Sequence, residues 1–227
     1  MLVLAVDTNT PAGSVALLRD RRLMAEINLD SPQTHSERLL PSIDTMLQIL
    51  GVNLEQIDGY ALAVGPGSFT GIRIGMSTVK ALAFASGKPV APVSNLEALA
   101  LKIRQPQARL LCPFMDAKKG EVYAALYAAK SGALKIEVPE SVYKPDHFFT
   151  LLPGKRVIAF IGSGVPIYRE KIVEFFRDKV RLSSRSLYIA HEVGLLGTDI
   201  LRAGRGLDAF RIEPLYLRRS QAEESHK

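Results

Sequence analysis

The chain has 227 residues, enough for one large domain or two small ones, and 47% of them are hydrophobic, which excludes extended disorder. A single cysteine, Cys112, excludes an internal disulfide; set in the apolar run RLLCPF, it reads as a buried small side chain in a reducing compartment. The net charge of +6 is spread thinly (Arg19, Arg21, Arg22; Lys118, Lys119; Arg177 to Arg185; Arg218, Arg219) without interleaved aromatics, so it reads as a solvated surface, with a weak anionic partner left open.

The opening MLVLAVD has no basic leader and carries a charge at Asp7, so no secretory signal is expected. No apolar run reaches membrane-span length, and the expected location is cytoplasmic. LVLAV reads as a buried strand and DTNTPAG as a turn; SVALLRD and RLMAEINL complete a three-strand meander. SPQTHSERLLPSIDTMLQILG reads as a helix with Leu39, Leu40, Ile43, Met46, Leu47 and Leu50 on one face, Ser36 as cap and Gly51 as stop. YALAV is a fourth strand, SFTGIRIGMSTVKALAFASG a helix ending at Gly87, PVAPV a short strand, and SNLEALALKI a helix capped by Ser94 or Asn95. The second half runs in the same order: strands RLLCPFMD, EVYAALYAA and LKIEVPE, a short helix PDHFFTLL, strand VIAFIG, helix VPIYREKIVEFFRD and a final helix SLYIAHEVGLLGTDILRAG.

A β-β-β-α-β-α order thus occurs twice, as a repeat of architecture with little shared sequence. The expected division is a first lobe over 1–104, joined by the segment 205–227, and a second lobe over 105–204, with the boundary in the polar KIRQPQAR. Two such lobes would form a cleft, with the turns Asp7–Gly13 and Asp116–Gly120 pointing into it, a place suited to a nucleotide phosphate chain. Asp7, Thr8, Asn9 and Asp116 are the candidate nucleotide-binding residues; the alternative for Asp7 is an Asx turn that only reverses the chain.

VGPGSFTGIRIG, Val64 to Gly75, is neither a P-loop nor a dinucleotide fingerprint, because the Gly-Lys-Ser/Thr ending is absent and the glycine spacing differs. Gly71 and Gly75 continue into the helix, where each costs roughly 1 kcal/mol against alanine, so a close approach of another backbone is expected in return. Two readings stand side by side: a surface presented to a second protein, and packing within this subunit alone. His35, His147, His191 and His226 are isolated, so no metal site is expected, and Ser68 lacks a nucleophile elbow. The pair in FIGSGVP reads as a tight turn.

LAVDTNT, THSERLLPSI, GPGSFTGIRIG, DAKKGEVY and EPLYLR together resemble the bacterial TsaB (YeaZ) family over essentially the whole chain. The resemblance implies an α/β actin-like fold of the sugar-kinase and heat-shock type (ASKHA), with two duplicated lobes. It implies a non-catalytic partner of TsaD in making threonylcarbamoyladenosine in tRNA, with TsaE and a homodimer as further associations. It implies no catalytic residue and no resident cofactor, ATP or ADP binding only weakly or in complex with TsaD and TsaE. The two metal-binding histidines of TsaD align with Asn95 and Leu99, which cannot replace them. It further implies a four-helix interface with TsaD or a second copy, through His35, Leu39, Ile43, Leu47, Gly71, Ile72, Gly75 and Val79. The competing functions are an independent ATP-dependent small-molecule kinase or ATPase of the same fold, and a metallopeptidase, which the missing ligands oppose.

Overall fold

A computed structural model describes residues 1–30, 34–104, 108–130 and 133–218. Arg219, His226, the start of the first predicted helix at 31–33 and the middle of the predicted lobe boundary at 105–107 lie outside the described residues. In chain order the elements are β1 (Leu2–Asp7), β2 (Gly13–Arg19), β3 (Arg22–Leu29), α1 (His35–Leu50), β4 (Gly59–Gly65), α2 (Phe69–Ser86), β5 (Val90–Ser94) and α3 (Asn95–Lys102). They continue with β6 (Leu110–Lys118), β7 (Glu121–Lys130), β8 (Ala133–Tyr143), α4 (Pro145–Leu151), β9 (Ile158–Ile161), α5 (Gly164–Ile167), α6 (Arg169–Phe176), β10 (Val180–Leu182) and α7 (Ala190–Arg202).

The strands form two five-stranded sheets, ordered β3-β2-β1-β4-β5 and β10-β9-β6-β7-β8. Read from the meander side, the orders are the same, so the predicted duplication holds at the level of topology. The first strand of each half is central, antiparallel to the second and parallel to the fourth. Central position explains composition: every residue of β1 is buried, as a strand covered on both faces requires.

The cap of α1 lies two residues earlier than predicted. Thr34, not Ser36, is the N-cap: the Glu37 carboxylate accepts the Thr34 N–H at 2.7 Å, the reciprocal half of a capping box. Gly51 ends the helix at φ 61°, as expected. Leu39, Ile43, Met46 and Leu47 face the first core, but Leu40 is 52% exposed and sits on the opposite side.

The chain divides into two compact units, and the division differs from the expected lobes. Among the described residues the first unit is Met1–Asn95 with Tyr188–Tyr216; the second is Leu96–Leu187 with Leu217 and Arg218. The last helix of each sequence repeat is therefore exchanged: α3 after Asn95 belongs to the second unit, and α7, expected within 105–204, belongs to the first. The reason for α7 is its face of small residues. Gly194 lies against Leu18 and Ala5, and Gly197 against Ala61 and Ala91, so the helix backbone seats directly on β1, β2, β4 and β5. Because Ala5 alternates with Leu4 and Val6, α7 covers the sheet face opposite the one packed by α1 and α2.

The second unit has an aromatic core, with Phe114 in ring contact with Phe148, Phe149, Phe160 and Tyr168. Its predicted single helix over 165–178 is two helices, α5 and α6, broken at Tyr168, whose φ −107° and ψ 17° lie outside the helical range. The three-residue β10 was not expected; pairing parallel to β9, it completes the duplication. Cys112 is buried, and burial pushes its thiol pKa well up, which fits an inert core residue. Among the described residues no helix is long and apolar enough to cross a membrane.

Candidate functional site

The glycine-rich stretch and the turn after β1 meet within the first unit. Asp7, Thr8 and Asn9 are all buried to within 1% of full enclosure. Asp7 Oδ1 accepts the Asn9 N–H at 3.0 Å, which is the Asx turn, and the Asn95 carboxamide N–H at 3.3 Å. Asn9 Nδ2 donates to the Ala63 carbonyl at 2.9 Å and to Asn95 Oδ1, which also accepts the Gly65 N–H at 3.2 Å. Asn95 thus ties together the ends of β1, β4 and β5. Two oxygens in this knot, Asp7 Oδ2 and Asn9 Oδ1, have no partner. Burial pushes the Asp7 carboxyl up to about 6, against the opposing pull of the Asn9 amide and the Asn95 carboxamide.

The same turn is clasped from above by α2. Thr8 Oγ1 donates to the Gly71 carbonyl at 2.7 Å, and the Ser68 N–H donates to the Asn9 carbonyl at 2.7 Å. A Cβ on Gly71 would overlap the Thr8 carbonyl oxygen, one on Gly75 would overlap Thr8 Oγ1, and one on Gly67 the Asn9 carbonyl. The backbone approach that two helical glycines were expected to permit is therefore an approach to this chain's own β1 turn. Of the two sequence readings, packing within the subunit accounts for both glycines.

α1 closes the turn from its other side. His35 Nε2 meets the Thr10 carbonyl at 2.8 Å, and Arg38 donates to the Pro11 carbonyl at 2.6 Å and to His35 Nδ1 at 3.2 Å. A carbonyl on one nitrogen and a guanidinium donor on the other fix the neutral, Nε2-protonated tautomer. Burial pushes the His35 pKa down, the Thr10 carbonyl partly restores it, and the Arg38 charge lowers it again. Gly13 leaves room for the ring: a Cβ there would stand 2.8 Å from His35 Cε1. Arg38 and Asn95 were not singled out as holding this turn; HSERLLP carried the signal for the first, and nothing local carried it for the second.

The expected site residues therefore fall into three places. The Thr8 hydroxyl, the Asn9 N–H and the Asn9 carboxamide N–H groups are spent on internal bonds. Asp116 lies in the second unit, its Oδ1 accepting the Lys118 N–H at 2.9 Å and its Oδ2 paired with Lys118 Nζ at 2.7 Å. Leu39, Ile43, Leu47, Ile72 and Val79 are core residues of the first unit, and Gly71 and Gly75 are buried beside them. These side chains of the expected contact set are buried in the first unit, packed on its own sheet. His35 is half-buried over Gly13.

The outward rows of α1 and α2 carry a different set. Ile49 is 76% exposed and Phe84 67%, with Phe84 edge-on to the equally exposed Phe210 at 5.3 Å. Phe69 stacks on Tyr216 at 4.9 Å, and Arg73 lies 3.8 Å over the Phe69 ring and donates to the Tyr216 hydroxyl at 3.3 Å. Phe69 and Arg73, with Thr70, Ile74 and Ser77, line a shallow groove of about 450 Å³. Among the described residues, no three His, Cys, Asp or Glu side chains come together as metal ligands.

Comparison with known proteins decides the family. A TsaB, the tRNA threonylcarbamoyladenosine biosynthesis protein of Haemophilus influenzae, is 44% identical over 227 residues, covering 96% of this chain and 94% of that protein. The chain belongs to the TsaB (YeaZ) family. The crystallised YeaZ of Pseudomonas aeruginosa agrees, superposing with a TM-score of 0.82 at 32% identity over 95% of this chain and 99% of its own. Residues 29–225 also match the family model for TsaD, tRNA N6-adenosine threonylcarbamoyltransferase, so TsaB and TsaD share a frame. That frame is the duplicated ASKHA fold: a ROK hexokinase from Thermus thermophilus superposes with a TM-score of 0.52 at 13% identity, covering 89% of this chain and all of that one.

Proposed function

We propose that this chain works in the biosynthesis of threonylcarbamoyladenosine in tRNA as a non-catalytic subunit that binds and activates TsaD. The observation that carries the reading is the state of Asn95 and Leu99, the positions aligned with the metal-binding histidines of TsaD. The Asn95 carboxamide is committed to Asp7, Asn9 and Gly65, and Leu99 is an apolar side chain 3% exposed. A protein of this frame with the ligand positions turned to internal structure has kept the fold and given up the metal.

The docking face then lies on the outward rows of α1 and α2, around Ile49, Phe84 and the Phe69–Arg73 groove. TsaD is the proposed occupant, with a second copy taking its place when the chain is alone and TsaE joining the pair. The test is reconstitution with TsaD, TsaE, threonylcarbamoyl adenylate and tRNA. No transfer is expected from the chain alone, and TsaD turnover should fall sharply when the chain is left out. Transfer by the lone chain, or TsaD activity indifferent to it, would sink the reading. Micromolar binding of Mg-ATP by the lone chain would favour the small-molecule kinase instead.

A further inference from the structure

In the second sheet, register brings basic residues to one end. Leu110 of β6 is level with Ile158 of β9, and Ile158 with Val180 of β10, so Arg109, Val157 and Lys179 form a row just outside the strands. On the other flank the Ala129 N–H donates to the Arg109 carbonyl at 2.8 Å, which puts Lys130, the last residue of β7, at the same end. Lys155 and Arg156 precede β9 there. The Arg181 guanidinium folds back onto the Val180 and Asp178 carbonyls at 2.9 and 3.3 Å. Of these six, Arg109, Lys130, Lys155, Arg156 and Arg181 are exposed. Asp178 neutralises Lys179 at 2.6 Å. Among the described residues no carboxylate pairs with Arg109, Lys130, Lys155 or Arg156, and Arg181 lies within the field of Asp178. Four adjacent strands at about 4.8 Å give the row a length of roughly 14 Å.

We infer that this basic rim is an RNA-backbone contact of the second unit, reading the phosphates of the tRNA substrate rather than its bases. The inference rests on the proposed function for the choice of RNA; the geometry of the rim stands without it. Unpaired, solvated cations in a row are costly to self-repulsion and are compensated by releasing counterions from a polyanion. All six side chains are cations, which suits contact with phosphates rather than with base edges.

The test compares two triple variants of the full chain that remove the same net charge. One is Arg109→Gln/Lys155→Gln/Arg156→Gln on the rim; the other is Arg19→Gln/Arg22→Gln/Arg205→Gln on the first unit. Binding of an unmodified tRNA transcript is followed by fluorescence anisotropy from 50 to 200 mM KCl, after both variants are shown to keep the parent melting temperature. The rim triple should lose roughly tenfold or more in affinity at 100 mM, with the slope of log K against log salt shallower by about two to three. The control should bind like the parent. In the reconstituted mixture the rim triple should raise KM for tRNA and leave TsaD association, followed by light scattering, unchanged. Equal losses in the two variants, no binding of the parent to tRNA at 50 mM KCl, or a rim effect confined to phosphatidylglycerol vesicles would each overturn the inference. A rim-dependent tRNA affinity in a chain that fails to activate TsaD would instead refute the proposed function and leave the rim standing.

Discussion

Asp7→Asn should stabilise this protein at pH 8 and do almost nothing at pH 4. The carboxyl is fully enclosed, its Oδ2 has no partner, and burial raises its pKa from 3.8 to about 6. A carboxyl raised in the folded state stabilises fully below the unfolded value near 4, and that stability is lost as pH rises through 6. The difference of about 2.2 units corresponds to about 3 kcal/mol at 1.36 kcal/mol per unit. An asparagine at position 7 keeps an Oδ1 for the Asn9 and Asn95 donors and removes the charge. For a chain of this size the gain corresponds to roughly 6–12 °C in melting temperature. Thermal melts of parent and variant at pH 4, 5, 6, 7 and 8 should diverge between about pH 4 and pH 6, with half the difference reached near pH 5 and little further change above pH 7. A variant less stable than the parent at pH 8, or a difference independent of pH, would refute the account. It would mean that the carboxylate is held by its two donors more strongly than burial opposes it.

Gly71→Ala should cost about 3 kcal/mol or more, measured by urea melts, because the Thr8 carbonyl it would meet belongs to the backbone and cannot rotate away. Gly75→Ala meets a side-chain hydroxyl instead, so adding Thr8→Ala should recover part of its loss; a coupling of about 0.5–3 kcal/mol in a double-mutant cycle is expected, and strict additivity would exclude the contact. Arg38→Ala should destabilise by about 2 kcal/mol and open the Thr8–Gly13 turn to faster amide exchange, since the Pro11 carbonyl and His35 Nδ1 both lose their donor. Asp116→Asn, by contrast, should move stability by less than about 0.5 kcal/mol at pH 8: its partner Lys118 is 84% exposed, and an amide oxygen still accepts the Lys118 N–H.

The strands were legible because each is a short run of apolar residues bounded by turn chemistry, and the order of elements exposed the duplication. Helix ends were legible at Gly51 and Gly87, where a left-handed residue must stop the helix. The exchange of α3 and α7 between units was not, because nothing in chain order says which sheet a helix will cover. Only the fit of Gly194 and Gly197 to Ala5, Ala61 and Ala91 says so, and those contacts span more than a hundred residues. The inward face of α1 was half legible: Leu39 and Leu40 are equally apolar, and one turns in while the other turns out. The knot at Asn95 was invisible for the same reason as the helix exchange, since Asp7 and Asn95 lie 88 residues apart.

The second unit shows what the glycine-rich stretch is for. A Cβ on Gly162, at the corresponding turn after β9, would overlap the Phe114 carbonyl of β6, and one on Gly164 would stand 3.0 Å from it. The Ser163 hydroxyl there accepts the Asp116 N–H at 3.1 Å. Each half therefore sets a glycine after its fourth strand against the backbone of its first strand or the turn that follows, although the two halves share little sequence. A contact repeated in both copies of a duplicated fold is a requirement of the fold. It closes the crossover between two parallel strands that the helix must leave and re-enter. The inner stripe of α2 is thereby fixed by Thr8, and only its outward residues are free of that requirement. Arg73 and Phe84 point outward there, and they belong to the docking face proposed above.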